Sequence, residues 1–191
     1  MNTFYTEEEL AGLGLKAYGK NVLIGRNAIL YNPEKLTLGH DVRIDDFTII
    51  SGKVTLHNYI HISHFCGLYG GEEGIEMMDF SGLSSKVNLY AVSDDYGGDY
   101  MTNPMVPAEY KKTMISGKVL LEKHSIIGTN SVVLPGVTVS EGSSVGSMSL
   151  CAKSTEPWGV YVGIPVKRMK ERKQEVLNLE KKFKESGAYY D

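Results

Sequence analysis

The chain has 191 residues, a formal net charge of −3 at pH 7 and two cysteines. This length suits one domain, the charge gives no case for nucleic acid binding, and two cysteines do not make a disulfide framework. The sequence has neither a basic segment followed by an apolar run nor a long apolar stretch, so we expect a cytoplasmic protein with no signal peptide and no membrane span.

The first predicted element is a short N-terminal helix. Thr6 followed by Glu9 forms a capping box, in which each side chain bonds to the backbone of the other residue. We predict a helix from Thr6 to about Ala17 that closes one end of the domain.

An apolar residue recurs every six positions through most of the chain. The early positions are Leu38, Ile44, Ile50, Leu56, Ile62 and Leu68, followed after a slip of three residues by Met77, Leu83 and Leu89. The later positions are Leu121, Ile127, Val133, Val139, Val145 and Cys151. Hexapeptide repeats are typical of parallel β-helices, in which three hexads make one triangular coil. The repeat predicts an all-β solenoid of about five to six coils.

A second inward position accompanies each late repeat position. The residues four places further on are small or β-branched: Ser125, Ser131, Val137, Ser143, Ser149 and Thr155. The position three places after a repeat residue often holds a residue that tolerates left-handed backbone angles, as at Asn130, Gly136 and Gly142. Each hexad therefore predicts one short strand and one corner, and Cys66 and Cys151 are expected to be core thiols.

The repeat is interrupted once by a long insertion. After Leu89 the next repeat position would be residue 95, yet the repeat resumes at Leu121, so 26 residues (121 − 95) are inserted. The segment from Asp95 to Lys118 is predicted to leave the solenoid as a loop. Loops held by a rigid scaffold commonly carry functional sites, so we expect the active site here.

A second helix is predicted at the C-terminus. After Pro165 the charged segment places Met169, Val176, Leu179 and Phe183 on one helical face. The helix is expected to end at Gly187 and to cap the solenoid or lie against a neighbouring subunit. The predicted organisation is a β-helix domain over 1–166, with the loop 95–118, and a C-terminal helix over 167–191.

The sequence resembles the left-handed β-helix acyltransferases of the hexapeptide-repeat family from about residue 20 to residue 170. The resemblance is carried by the hexads, the single long loop and the ending Pro157-Trp158 followed by Tyr161-Val162-Gly163-Ile164-Pro165-Val166-Lys167. Ser84-Ser85, Tyr90, Asp94-Asp95-Tyr96 and Asn103-Pro104 resemble the subgroup that acylates sugars, including nucleotide-linked amino sugars, for bacterial surface polysaccharides such as lipopolysaccharide.

This resemblance implies left-handed coiling and a homotrimer with active sites in clefts between subunits. It also implies acyl-coenzyme A as co-substrate, a nucleotide-linked sugar as acceptor, and no metal. Chemistry of this type requires mainly the positioning of the acceptor and the removal of its proton.

Asp94 is the first candidate for a catalytic role. In the sugar O-acetyltransferases that the chain resembles, a loop histidine is the general base, and the matching stretch Leu89 to Asp94 ends on an aspartate. An aspartate carboxylate has a reference pKa of about 3.9 and is a weak base for a hydroxyl, but it can orient an amine and receive its proton after attack. This difference favours an acyl-CoA-dependent N-acyltransferase; an exposed loop carboxylate without a site role is the alternative for Asp94.

His61 is the second candidate for proton transfer. It directly precedes a repeat position and is expected to point outward, where it could meet the loop of a neighbouring subunit. With His61 as base, the alternative function is sugar O-acetylation of a surface glycan. His57, His61 and His64 also suggest a trimeric zinc hydratase, a weaker alternative because the next coils offer no further histidines at matching places.

The remaining predicted site residues follow from the same resemblance. Contacts to the acceptor are expected from Ser84, Tyr90 and Asp95, although a solvated surface position is favoured for Asp95. Contacts to coenzyme A are expected from Gly128, Gly146 and Ser147 along the pantetheine arm, and from Lys153, Lys167 and Arg168 at the phosphates.

Overall fold

The structure, a computed structural model, describes residues 3–112, 115–187 and 189 and shows a parallel β-solenoid with three faces. The first face contains Ala17–Tyr18, Leu36–Leu38, Val54–Leu56, Ile75–Met77, Val119–Leu121 and Thr138–Val139. The second face contains Leu23–Ile24, Val42–Ile44, Ile60–Ile62, Gly82–Leu83, Ile126–Ile127, Ser144–Val145, Gly159–Gly163 and Val166–Glu171. The third face contains Ile29–Tyr31, Ile49–Ser51, Gly67–Tyr69, Asn88–Tyr90, Val132–Val133 and Leu150–Cys151.

The predicted repeat forms the core. Each of its apolar residues from Leu38 to Cys151 is at most 3% exposed, and the second set of inward residues from Ser125 to Thr155 is buried as well. Both cysteines are buried free thiols. Because each strand pairs in parallel with the strand one coil further along, the backbone hydrogen bonds are satisfied between coils while one narrow apolar column fills the interior.

The coil number predicted from the sequence was too low. The second face stacks seven parallel strands, from Leu23–Ile24 to Gly159–Gly163. The chain already coils at Ala17–Tyr18, before the first clear repeat position, and it adds a further strand after Cys151. These end coils have fewer apolar neighbours to bury, so their hexads are less regular in the sequence.

The corners of the coils adopt left-handed backbone angles, as predicted. Asn130, Gly136 and Gly142 have φ angles of 60°, 77° and 64°. The corner between the first and second faces carries a row of rings, which we call the aromatic corner: Tyr59, Phe80, His124 and Trp158. Successive ring centroids lie 5.0, 5.1 and 6.4 Å apart, so the row stabilises the stack of coils from outside the core.

Both terminal helices are shorter than predicted. The capping box at Thr6 is present, but the helix is Glu7–Ala11, because the chain turns at Gly12. At the other end Val166–Glu171 is a strand that pairs antiparallel with Gly159–Gly163, and the helix is Glu175–Glu185.

The C-terminal prediction was therefore wrong over its first eight residues. Met169 lies in the antiparallel strand and is exposed, so it does not share a helical face with Phe183. Antiparallel pairing with Gly159–Gly163 replaces the predicted helix here, since the edge of the second face is open for pairing. Gly187 follows the helix with a φ of 75°; residues 188, 190 and 191 lie outside the described part of the chain.

The inserted segment leaves the solenoid where the sequence predicted. Val92–Ser93 and Ile115–Ser116 pair antiparallel and form the stem of the loop, and Ala108–Tyr110 is a short 3-10 helix within it. A second 3-10 helix is Pro33–Lys35. None of the described helices is long and apolar enough to cross a membrane.

Candidate active site

A first pocket lies between the third face and the stem of the loop; we call it the loop pocket. Its volume is about 840 Å³, and Asp94, Tyr90 and Tyr96 line it together with apolar residues such as Val132 and Leu150. Asp94 is exposed at the end of the stem, where its carboxylate can meet a ligand. The insertion and the third face together therefore form a polar and aromatic rim over an apolar wall.

Tyr90 is held against the coil beneath it. Its ring stacks on Tyr69 with centroids 4.8 Å apart, and burial raises the pKa of the Tyr90 hydroxyl, with smaller contributions from Tyr69 and Tyr96. A neutral hydroxyl on a fixed ring can donate a hydrogen bond to an acceptor sugar.

Asp95 has a different environment from the one expected. It is only 7% exposed, and its carboxylate accepts hydrogen bonds from the backbone N–H groups of Gly97, Gly98 and Tyr100. The hydrogen bond from Tyr100 makes the largest contribution to lowering the pKa of Asp95 below its ordinary value. A surface position for Asp95 was therefore wrong; its carboxylate shapes the loop next to Asp94.

A second pocket lies on the second face beside the C-terminal helix; we call it the helix groove. Its volume is about 750 Å³, and it is lined by His61 and Ser84 from the coils and by Val176 and Leu179 from the helix. Gly82 stands between the coils of His61 and Ile126 in the same outward row. The missing side chain at Gly82 deepens the groove directly beside His61.

His61 belongs to a polar cluster centred on a buried carboxylate. Asp45, with a side chain 3% exposed, accepts hydrogen bonds from Arg43 Nε at 2.7 Å and from His61 Nε2 at 2.8 Å, and His64 Nδ1 lies 3.4 Å away. Burial acts to raise the pKa of Asp45, but the hydrogen bonds from His61 and Arg43 hold it below its ordinary value. His61 points outward as predicted, and its side chain is 53% exposed.

The two catalytic candidates do not meet within one chain. Asp94 and Tyr90 line the loop pocket, whereas His61 and Ser84 line the helix groove, and none of the described residues lines both pockets. They lie on different faces of the solenoid. A site that uses both groups therefore needs residues from two copies of the chain.

The glycines predicted to face coenzyme A have a structural reason of their own. A Cβ atom at Gly128 would lie 2.5 Å from the backbone N of Ser147, and one at Gly146 would lie 2.8 Å from the side chain of Val162. These glycines let successive coils stack closely, so the absence of their side chains has a structural reason apart from ligand binding. Coenzyme A binding by Gly128, Gly146 and Ser147 stays a prediction.

The three residues predicted to contact the phosphates of coenzyme A differ in how freely a phosphate could reach them. Lys153 and Lys167 are exposed, whereas Arg168 is bonded to Glu156 and Glu171 at 2.9 and 2.8 Å. A phosphate would have to compete with these carboxylates for Arg168. Lys153 and Lys167 are therefore the stronger candidates for coenzyme A.

The histidines behind the zinc hydratase alternative are separated. His57 bonds to Glu76 at 2.7 Å, while His61 and His64 both lie at Asp45. The described residues contain no group of three side chains placed to hold a metal ion.

Individual known proteins are similar to this chain. No family model matches the sequence. The dTDP-4-amino-4,6-dideoxy-D-glucose acyltransferase of Escherichia coli is 39% identical over 187 residues, which cover 96% of each chain.

Solved structures of an N-acyltransferase are also similar to this chain over nearly its whole length. AntD, an N-acyltransferase from Bacillus cereus in complex with dTDP and 3-hydroxybutyryl-CoA, is 46% identical with a TM-score of 0.95, covering 99% of this chain and 100% of that chain. Its S84A variant, in complex with dTDP-4-amino-4,6-dideoxyglucose and coenzyme A, is 47% identical with a TM-score of 0.94, covering 97% and 100%.

Together with these relatives, the solenoid and its long loop place the chain in the class of hexapeptide-repeat acyltransferases. With near-complete coverage at 39% identity, the chain belongs to the family of the acyltransferases that act on nucleotide-linked amino sugars.

Sequence reasoning missed Asp45 and Arg43. The strand register pairs Arg43 with His61, so the two residues are one coil apart, and Asp45 follows two places later at a corner. Counting back three hexads from His61 would have placed these charges beneath it. The predicted coil of three hexads therefore contains the stacking of Arg43 and His61, whereas the hydrogen bond from His61 to Asp45 depends on side-chain geometry.

Proposed function

We propose that the protein transfers an acyl group from acyl-coenzyme A to the amino group of a dTDP-linked aminodeoxy sugar. The similarity to AntD over nearly the whole chain carries this proposal, because AntD is an N-acyltransferase crystallised with dTDP-4-amino-4,6-dideoxyglucose and coenzyme A. The sugar 4-amino-4,6-dideoxyglucose is the first acceptor to test.

In the proposed reaction the amino nitrogen attacks the thioester carbonyl carbon. A C–N bond forms, the C–S bond breaks, and the proton lost by nitrogen ends on the departing thiolate, which leaves as the free thiol. Asp94 orients the amine through its negative charge. His61 takes the proton, because a neutral imidazole is a stronger base than a carboxylate, with reference pKa values of about 6.5 and 3.9.

Two further observations support the placement of the site. AntD was crystallised as variants named D94A and S84A, and this chain has Asp94 in the loop pocket and Ser84 in the helix groove. The two pockets lie on different faces, so a cleft between neighbouring subunits would bring them together. We therefore propose a homotrimer with the loop of one subunit over the second face of the next.

The reaction is tested by following thiol release. The purified protein is incubated with acetyl-CoA or 3-hydroxybutyryl-CoA and a panel of sugar nucleotides with and without an amino group. We expect release only with amino sugars, and a loss of activity in Asp94→Ala. Release with hydroxyl acceptors alone would instead support the O-acetyltransferase with His61 as base.

The shared site is tested by mixing two inactive variants. Asp94→Ala and His61→Asn subunits, carrying different tags, are co-expressed and the mixed trimers are isolated. If the two residues come from adjacent subunits, every mixed trimer has one intact site in three and regains about a third of the activity. Mixed trimers that stay inactive would contradict a site shared in this way.

A role in surface polysaccharide biosynthesis and a cytoplasmic location are part of the same proposal. Both follow from the resemblance to enzymes that act on nucleotide-linked sugars. The thiol-release experiment with the two thioesters determines which acyl group the protein transfers.

A further inference from the structure

The carboxylate of Asp45 is an unusual feature of the second face. It lies at a corner position with its side chain 3% exposed, and it accepts hydrogen bonds from two side chains that point outward, Arg43 and His61. A buried carboxylate needs such partners, since an unpaired charge in this place would be strongly destabilising. Arg43 bonds to Oδ1 of the carboxylate and His61 bonds to Oδ2, so the carboxylate fixes the position of both outward side chains.

This bond determines which nitrogen of His61 carries the proton. With the ionised carboxylate as acceptor, Nε2 must be the donor, and in the neutral ring Nδ1 then has the free lone pair. Within the described ranges Nδ1 of His61 has no hydrogen-bond partner, and the half-exposed ring lines the helix groove with Ser84. The acceptor nitrogen is thus the one available to a ligand.

Asp45 is the carboxylate that bonds to His61, and Arg172, Glu180 and His124 line the same groove. The strand beneath contributes Arg43, which is itself bonded to Asp45. The strand above contributes Gly82, which has no charge. His64, the other titratable group of the cluster, lies 3.4 Å from the same carboxylate.

We propose that Asp45 is a positioning residue for proton transfer: it fixes His61 in the tautomer that presents Nδ1 as a base in the helix groove. This inference rests on the proposed function, in which His61 takes the proton of the attacking amine at Nδ1 and returns it to the departing thiolate. Arg43 keeps Asp45 ionised, so that the carboxylate continues to accept from Nε2 during the reaction.

The isosteric variant Asp45→Asn tests this role directly. The amide can donate to Nε2, which moves the ring proton to Nδ1 and removes the base from the groove. We expect kcat to fall by about 10²-fold or more, with the KM for acyl-CoA within about twofold of the wild type. His61→Asn is expected to show a similar loss, and the double variant no further loss, because the two residues act as a unit. His64→Asn, the matched control, is expected to keep its activity.

Nitrogen NMR of histidine-labelled protein near pH 8 provides a readout that does not depend on acyl transfer, with the His61 signals assigned through His61→Asn. We expect the Nε2–H tautomer in the wild type and the Nδ1–H tautomer in Asp45→Asn. The wild-type measurement needs only His61→Asn for its assignment, so it decides the question even if Asp45→Asn fails to fold.

Two results would overturn the inference. One is a wild-type His61 in the Nδ1–H tautomer, and the other is full activity of Asp45→Asn with an unchanged pH profile. A wild-type protein that shows the expected tautomer but no transfer to amino sugars would contradict the proposed function and leave the positioning of His61 by Asp45 intact.

Discussion

Glu180 connects the C-terminal helix to the solenoid, and its removal is expected to weaken the whole domain. Its side chain is 9% exposed and lies 2.7 Å from His124 Nε2, 2.5 Å from Lys123 Nζ and 2.9 Å from Lys184 Nζ. Phe183 on the same helix packs edge-on against Tyr59, with ring centroids 5.2 Å apart. The carboxylate thus holds the helix on the aromatic corner.

The magnitude follows from the pKa of this carboxyl. Burial alone would raise the pKa of Glu180, but the hydrogen bonds from Lys123, Lys184 and His124 lower it from 4.5 to about 2. Since the folded pKa is depressed, the stabilisation is complete above the unfolded value and is lost as the pH falls through the folded value. The shift corresponds to about 3 kcal/mol at neutral pH and about 1.4 kcal/mol near pH 3.

The measurement compares urea unfolding of the wild type, Glu180→Gln and the control Glu185→Gln, an exposed position on the same helix. Glu180→Gln is expected to lower the free energy of unfolding by about 2–3 kcal/mol at neutral pH and by about half of that near pH 3. Glu185→Gln is expected to change it by less than about 0.5 kcal/mol. A loss at Glu180 that stayed constant with pH, or that matched the control, would refute the reasoning.

Two further predictions concern the corners and the core. Gly142→Ala is expected to lower the melting temperature more than Gly136→Ala. Both positions have left-handed angles, but a Cβ at Gly142 would lie 2.3 Å from the ring of Trp158, whereas a Cβ at Gly136 would have no atom of the described residues within 4 Å. Equal losses would show that the ring moves aside easily. Burial raises the pKa of Cys66 and Cys151 to about 11, so a thiol reagent near pH 8 is expected to react slowly with native protein and rapidly with two thiols per unfolded chain. Rapid reaction of the native protein would contradict their burial.

The core of the solenoid could be predicted because one physical requirement fixes it. Only inward side chains of suitable size fit the narrow interior, so the six-residue repeat identifies them directly, as for Ile127 and Ser131. The corners followed from the residues that tolerate left-handed angles, as at Asn130. The insertion was visible as a break in the same repeat.

The terminal segments were harder to predict, because their secondary structure depends on which part of the solenoid they pack against. The segment Val166–Glu171 has a helical apolar pattern, but the open edge of the second face takes it as a strand. Similarly, Asp95 and Asp94 are equivalent neighbours in the sequence. In the folded loop the Asp95 carboxylate bonds to the loop backbone, whereas Asp94 lines the loop pocket.

The hydrogen bond between Asp45 and His61 could be predicted only in part from the sequence. The repeat determines which residues are stacked, but the choice of hydrogen-bond partners depends on side-chain geometry that no periodicity specifies. Two residues from different pockets, Asp94 and His61, could be named from the sequence, while their separation on different faces required the structure.

Acylation of an amine rather than a hydroxyl group is tested by a competition experiment. The protein is given acyl-CoA and equal amounts of dTDP-4-amino-4,6-dideoxyglucose and the same sugar nucleotide with a hydroxyl group in place of the amino group. Mass spectrometry identifies the product. We predict that only the amide forms, with one free thiol released for each amide. An ester product, or thiol release without any amide, would contradict the account.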